Sequence, residues 1–372
     1  MRKKLDLRDV KILEGLGKYG PRNITEVAKK LNIPRGTLFS RIKTLSSSFY
    51  LRLVTNVSIT NLGLKKAVVF VKATLGNEEL LFNCMKVNKF YTYLNRCYGS
   101  FEGFLGIYAI PKGHTTKFEY FMQEIKRLGV ACEVQIFWST CFYTVNRTSK
   151  WFDTASETWI FPWDKWVEEI QVEGTELPYT LVDPKDFPIK ADETDLFIVK
   201  ELEKDATISL TAIANKLGTT LQNVSYHYSF HVIKNRLLEN FQIFIFPFDS
   251  TISDMFFFIF EFDGIEKMTK FALSLLDKPF VYIVGKVLGE NTITAQVYLP
   301  RLEFRNLIDN LSKLIKTNFL QNYHYVIQDL RLGKWSRETI PYEFFKNGSW
   351  IYDHDKYMRG VQDLVAHESQ YY

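Results

Sequence analysis

"NITEVAKKLNIPRGTLFSRIKTL", residues 23–45, carries apolar side chains at Ile24, Val27, Leu31, Ile33, Leu38, Ile42 and Leu45. Thr25 and Glu26 open a helix that runs through Leu31, and "LNIP" is a short turn. Pro34 suits the mouth of the next helix, where a missing N–H costs nothing. Leu38, Ile42 and Leu45 then fall at i, i+4 and i+7, one buried stripe, which leaves Arg35, Thr37, Ser40, Arg41 and Lys43 largely outside it. Upstream, residues 5–17 read as a helix with Leu7, Val10, Leu13 and Leu16 near helical spacing and Gly17 at its end. Downstream, "FYLRLVTNVSI" (49–59) reads as a hairpin-like wing. Three helices and a wing predict a winged helix-turn-helix.

The same motif recurs. In "SLTAIANKLGTTLQNVSYHYSFHV" (209–232), Thr211, Ala214, Lys216 and Leu217 repeat Thr25, Ala28, Lys30 and Leu31 at an interval of 186. The segment downstream of each copy repeats as well. After the first come a strand at 65–73, a helix at 77–88, two strands across "FYTYLNRCYGSFEGFLGIYAIP" (90–111), a helix at 114–128 and a strand from 131. After the second come a strand at 255–262, a helix at 264–277, two strands across 280–300, a helix at 301–316 and a strand at 319–330. The order βαββαβ is the ferredoxin-like plan. The predicted class is therefore α+β, two winged helix-turn-helix domains alternating with two ferredoxin-like domains. The boundaries are 1–60 (winged helix), 61–150 (ferredoxin-like), 151–188 (aromatic extension and linker), 189–248 (second winged helix), 249–332 (second ferredoxin-like) and 333–372 (aromatic extension). The extensions share "SKWFD" (149–153) and "GKWSR" (333–337), and their tryptophans read as packing.

At 372 residues, 46% hydrophobic and 24% charged, the composition is that of a folded multidomain chain. No run approaches 18 uninterrupted apolar residues and "MRKKLDLRD" lacks the apolar segment of a leader, so no membrane span and a cytoplasmic location are expected. Cys84, Cys97, Cys132 and Cys141 form no CxxC pair and read as buried reduced thiols; no metal and no cofactor are expected.

Charge is uneven. Residues 1–52 hold thirteen Lys and Arg against four acids, a net +9 on a chain whose total is +5, whereas residues 189–245 sum to −1. A basic end points to a polyanion, double-stranded DNA for a winged helix. Arg35, Thr37, Ser40, Arg41 and Lys43 are the candidates for base edges, since Arg pairs bidentately with guanine. Arg22, Lys29, Lys30 and Arg52 are the candidates for phosphates. In the second copy the corresponding face is Gln222, Asn223, Ser225, Tyr226 and His227; auxiliary DNA contact and a purely structural role both fit it. His227 and His231 stand at i, i+4, a spacing that could hold zinc, but no third ligand is evident in the sequence.

These features resemble the Lrp/AsnC (feast/famine) transcription regulators. "LDLRDVKILEGL" (5–16) is similar to that family's first-helix signature through Leu5, Asp6, Asp9, Ile12 and Leu13. "AKKLNIPRGTLFSRIKTL" (28–45) resembles its recognition unit, "NLGLKKAVVFVKA" (61–73) its linker, and "GSFEGFLGIYAIP" (99–111) its glycine-aromatic-acid turn. The resemblance implies a DNA-binding regulator. It also implies a small-molecule effector near Gly99, Phe101 and Glu102, at an interface between paired domains. Two half-dimers in one chain would explain the repeat. A homodimer of the chain, joined through sheet edges and the Trp159–Trp166 and Trp350 extensions, is expected to bring two basic helices to DNA. Siroheme decarboxylases look like the same pair of domains. The strands at 90–110 and 280–299 contain no histidine, and Arg96 is their single arginine. On that ground no enzymatic activity is expected. An architectural chromatin protein is the remaining alternative.

Overall fold

The computed structural model describes residues 4–100, 102–172, 174–331 and 333–368. Helix α1 (Leu7–Tyr19) is opened by a reciprocal cap: the Asp6 carboxylate accepts from the Asp9 amide, and the Asp9 carboxylate accepts from the Asp6 amide. It passes Gly17 and ends at Gly20. Gly17 is needed for a close approach, because a Cβ there would meet Asn146 at 2.9 Å. Helices α2 (Ile24–Lys30) and α3 (Arg35–Phe49) complete the trihelical unit, with Val27, Leu38 and Leu45 buried.

The wing is not a hairpin. It is one strand, β1 (Arg52–Val57), and its partner comes from the other half of the chain. A single short strand leaves a row of amides and carbonyls unpaired, and here the matching strand of the second copy supplies them. Beyond it lie β2 (Leu64–Ala73), α4 (Glu78–Val87), β3 (Tyr91–Gly99), β4 (Gly103–Pro111), α5 (Thr115–Arg127), β5 (Ala131–Ser139) and β6 (Tyr143–Thr144). The first extension contributes β7 (Phe152–Asp153), β8 (Thr158–Trp159) and α6 (Trp163–Val172). The second half runs α7 (Glu193–Lys204), α8 (Leu210–Leu217), α9 (Leu221–Tyr226) continued by a π-helical segment His227–Ile233, and β9 (Leu238–Phe244). It continues with β10 (Ser253–Glu261), α10 (Ile265–Leu275), β11 (Val281–Lys286), β12 (Thr292–Pro300), α11 (Arg301–Lys316) and β13 (Asn322–Gln328). β14 (Trp335–Arg337), β15 (Phe345–Lys346), β16 (Ser349–Trp350) and α12 (His354–Glu368) end it.

β1 and β9 pair antiparallel, with Thr55 opposite Phe241. Those two positions are 186 apart, the interval of the sequence repeat, so the local two-fold axis passes through this pair. Each ferredoxin-like unit has the expected antiparallel order, β5-β2-β4-β3 and β13-β10-β12-β11, and β3 joins β13 to make one continuous sheet. The fold is α+β.

Strands β2 and β10 read as unbroken apolar runs because both faces are covered. Val69 and Val71 face the helices, while Val68 and Phe70 face the other unit. On β10, Phe256, Phe258 and Phe260 face the helices, while Phe257 and Ile259 meet Val68 and Phe70 in the layer between the units.

The extensions cross over. Trp163, Trp166 and Ile170 of the first are buried against α10 and α11 of the second unit. Tyr357 and Val361 of α12 are buried against α4 and α5 of the first. Trp159, Trp166 and Trp350 are thus spent inside the chain, 2%, 0% and 8% exposed, and cannot be the homodimer contacts that the sequence led us to expect. Three cysteines are buried as expected, but Cys132 is exposed.

Candidate nucleic-acid interface and inter-sheet pocket

The outward face of α3 carries Arg35, Ser40 and Lys43, all exposed, with Thr37 half-buried beside them. The Arg35 guanidinium lies over the Phe39 ring at 5.5 Å. Phe39 itself is 49% exposed, a residue the apolar stripe gave no reason to single out. Lys29 is exposed on α2, and Lys30 beside it is 3.8 Å from Glu26. Among the described residues Lys29, Arg35 and Lys43 have no acidic partner. Arg52 is exposed on β1, opposite Phe244.

Two of the expected DNA contacts are committed elsewhere. Arg41 turns back to α1, its Nη1 donating to Asp6 Oδ1 and Oδ2 at 2.9 and 2.8 Å and to Asp9 Oδ1 at 2.7 Å. The Asp6 hydrogen bond in particular raises the guanidinium pKa. Burial works to raise the Asp6 pKa in turn, but the Asp9 amide and Arg41 outweigh it and hold that carboxyl below its ordinary value. Helical spacing placed Arg41 off the buried stripe; a long side chain reaching to a neighbouring helix cap escapes that test. Arg22 stacks on the Tyr228 ring of the second winged helix at 4.3 Å, with Nη1 buried, so it joins the two modules instead of facing solvent.

In the second module Gln222 and Tyr226 are exposed, while Asn223 and Ser225 are half-buried. Asn223 Nδ2 donates to Thr219 Oγ1 at 3.3 Å. His227 does not face outward. Its Nδ1 is 2.8 Å from Asp195 Oδ1, and His231 Nδ1 is 3.2 Å from Asp195 Oδ2. The side chains that meet the two histidines, which the sequence spacing did not reveal, are thus Asp192 and Asp195, from the opposite end of the module. The exposed face also carries large apolar side chains: Leu221, Phe230 and Ile233 join Tyr226.

The turn after β3 docks on β13. Gly99, at φ +118°, is paired opposite Val326, and Ser100 Oγ donates to the Tyr325 carbonyl at 2.8 Å. Glu102 points to Arg96, 2.9 Å away. Phe101 lies outside the described residues. Beside this turn, between the two units, is a pocket of about 180 Å³. Phe70, Lys72, Glu133 and Gln135 line it from one unit, Phe257, Ile259, His324 and Tyr325 from the other, and Ser100 at the turn. Ser100 and not Glu102 reaches it. The middle strands bring no histidine to this pocket, but β13, the edge strand that joins the units, brings His324.

A family profile described as winged helix-turn-helix DNA-binding matches residues 192–229, in the second module. A search of characterised proteins by sequence gives no match. Among solved structures, the siroheme decarboxylase NirDL is similar at 12% identity, covering 97% of this chain and 99% of its own, with a TM-score of 0.50. Its co-complex with an iron-uroporphyrin III analogue gives the same values. An AsnC family transcriptional regulator from Agrobacterium tumefaciens overlaps 39% of this chain and 95% of its own at 15% identity, with a TM-score of 0.30, too low to carry an argument. The whole-chain match corrects the expectation of a non-enzymatic protein: the paired architecture, end to end, is one that an enzyme uses. The chain carries a winged helix-turn-helix of the DNA-binding type, within a fold shared with that decarboxylase. No helix among the described residues is long and apolar enough to cross a membrane.

Proposed function

We propose that the chain is a DNA-binding transcription regulator whose first winged helix is the main anchor. The observation that carries this reading is the outward face of α3, where Arg35, Ser40 and Lys43 stand exposed beside Lys29, their cations without acidic partners among the described residues. A recognition helix with free guanidinium and ammonium groups suits major-groove edges and flanking phosphates. The β1–β9 pairing ties a second module to the first, as the two halves of a dimer would be tied. The ferredoxin-like units then serve assembly, with the turn at Gly99 and the adjoining pocket as the place for a small-molecule effector. Binding-site selection with the full chain tests this: enrichment of a discrete motif, lost when Arg35 and Lys43 are replaced by Ala, is expected. Recovery of no motif sinks the regulator reading in favour of an architectural or enzymatic one.

The whole-chain fold favours a second reading, an enzyme acting on a tetrapyrrole. Pockets for drug-sized ligands measure about 300–1,000 Å³, so a macrocycle does not fit the inter-sheet pocket of about 180 Å³ as it stands. Under this reading, adding an iron tetrapyrrole to the purified chain shifts the pigment's visible spectrum and releases carbon dioxide. An unchanged spectrum removes it.

A further inference from the structure

We propose that Asp192, Asp195, His227 and His231 form a divalent metal site of the zinc class, clamping the first helix of the second module to its recognition helix. The four side chains bring one ligand atom each to within 4.8 Å of one another. From the His227 Nδ1, Asp195 Oδ1 is 2.8 Å and Asp192 Oδ2 3.6 Å away; from the His231 Nδ1, Asp192 Oδ2 is 3.9 Å away and Asp195 Oδ2, the cap acceptor, 3.2 Å. A tetrahedral ion with bonds of ~2.0–2.1 Å spaces its donors about 3.3 Å apart, in the middle of that range. The reciprocal cap of α7 uses Asp192 Oδ1 and Asp195 Oδ2, accepting from the Asp195 and Asp192 amides at 2.9 and 3.0 Å. Asp192 Oδ2 and Asp195 Oδ1 are therefore available beside the two imidazoles, an N₂O₂ set suited to zinc, cobalt or nickel.

A second observation points the same way. At the interval of 186, Asp192 and Asp195 correspond to Asp6 and Asp9, and His227 corresponds to Arg41. In the first module the same pair of carboxylates holds a cation, the Arg41 guanidinium. In the second the chain no longer supplies a permanent cation and supplies imidazole ligands instead, with Leu45 replaced by His231. The backbone changes at the same place: α3 is regular through Phe49, whereas the helix turns π-helical from His227 to Ile233, a distortion frequent at functional sites. Asp195 is buried, while Asp192 and His231 remain partly open to solvent, which gives an ion a way in. Bound there, it would fix the helix that presents Tyr226 and Phe230 to the outside.

The test uses the full chain, stripped with a chelator and titrated with Co²⁺ or Zn²⁺ alone. Binding of one ion per chain is expected, with visible cobalt d–d absorption of a four-coordinate N/O site and a raised melting temperature. His231→Gln should weaken binding by more than about tenfold, the least that loss of even an outer partner costs. His227→Arg rebuilds the closure of the first module, so it should fold with full stability and bind no ion, separating metal loss from fold loss. No one-to-one binding by the unaltered chain overturns the proposal, as does binding that survives in His227→Arg. A melting temperature that follows imidazole protonation without any metal affinity also overturns it, and makes the cluster a proton-operated cap.

Discussion

The two winged helices solve one problem in two ways. Each starts with an aspartate pair capping its first helix, and each must find partners for that pair where it meets the third. The first does so with Arg41, whose guanidinium donates to both carboxylates; the second sets the imidazoles of His227 and His231 against them instead. The first helix cap is closed by a guanidinium, and the surface beyond it is left basic. The second is closed by imidazoles, and the surface beyond it exposes four large apolar side chains, Leu221, Tyr226, Phe230 and Ile233. A repeat that diverges at a few positions can keep its architecture while changing both the closure of a helix cap and the surface it presents.

The largest expected effect tests the anchor. Arg35→Ala with Lys43→Ala should lower DNA affinity roughly 10- to 100-fold, because one good base-edge pair contributes about 1–3 kcal/mol. Gln222→Ala with Asn223→Ala should cost less in the same mobility-shift titration; a larger loss would reverse the two roles. Arg41→Ala comes next. It leaves Asp6 and Asp9 facing each other, and denaturant unfolding should show a loss on the order of 1–3 kcal/mol. DNA affinity per folded molecule should hardly change, and a specific loss of affinity with full stability would return Arg41 to the base-reading set.

A smaller effect concerns pH. Glu203 on α7 corresponds to Gly17 in the first module, so the charge belongs to the second alone. Its carboxylate accepts from Tyr342 Oη at 3.0 Å and from the Ile340 amide at 3.3 Å. Burial pushes its pKa from 4.5 up to about 7. The native state therefore holds this proton more tightly than the unfolded chain. The stabilisation is complete below pH 4.5 and is lost as pH rises through 7. Stability curves for Glu203→Gln should be flatter across that window; an unchanged slope would place the pH response elsewhere. The smallest is Glu26→Gln, which frees Lys30 from an exposed pair worth about 0.3–0.5 kcal/mol. It should leave stability nearly unaltered and raise DNA affinity slightly.

Much of the fold could be read in the sequence because it rests on local period. The strand β10 alternates between two apolar surfaces, α3 keeps its i, i+4, i+7 stripe, and the order of elements repeats. What period cannot express is pairing at long range. The wing segments looked like hairpins because each has strand composition, yet each is half of a sheet whose other half lies 186 positions away. Arg41 and Asp195 face partners across a helix crossing, 32 residues distant in both cases, and no window contains both. A better signal existed for the extensions than "SKWFD" and "GKWSR". "TWIFPWDKW" (158–166) and "SWIYDHDKY" (349–357) align residue for residue, placing Trp166 against Tyr357, and both are buried.

The crossed extensions also set an order of events during synthesis. The apolar faces of α4 and α5 are finished when Arg127 has been made, but the helix that covers them begins at His354. At about 5–20 residues per second, those faces wait roughly 10–45 s for their cover. The second unit has no such wait, since α6 has already left the ribosome when α10 and α11 appear. A nascent chain truncated before residue 354 should accordingly be bound by chaperones at its first half and not at its second.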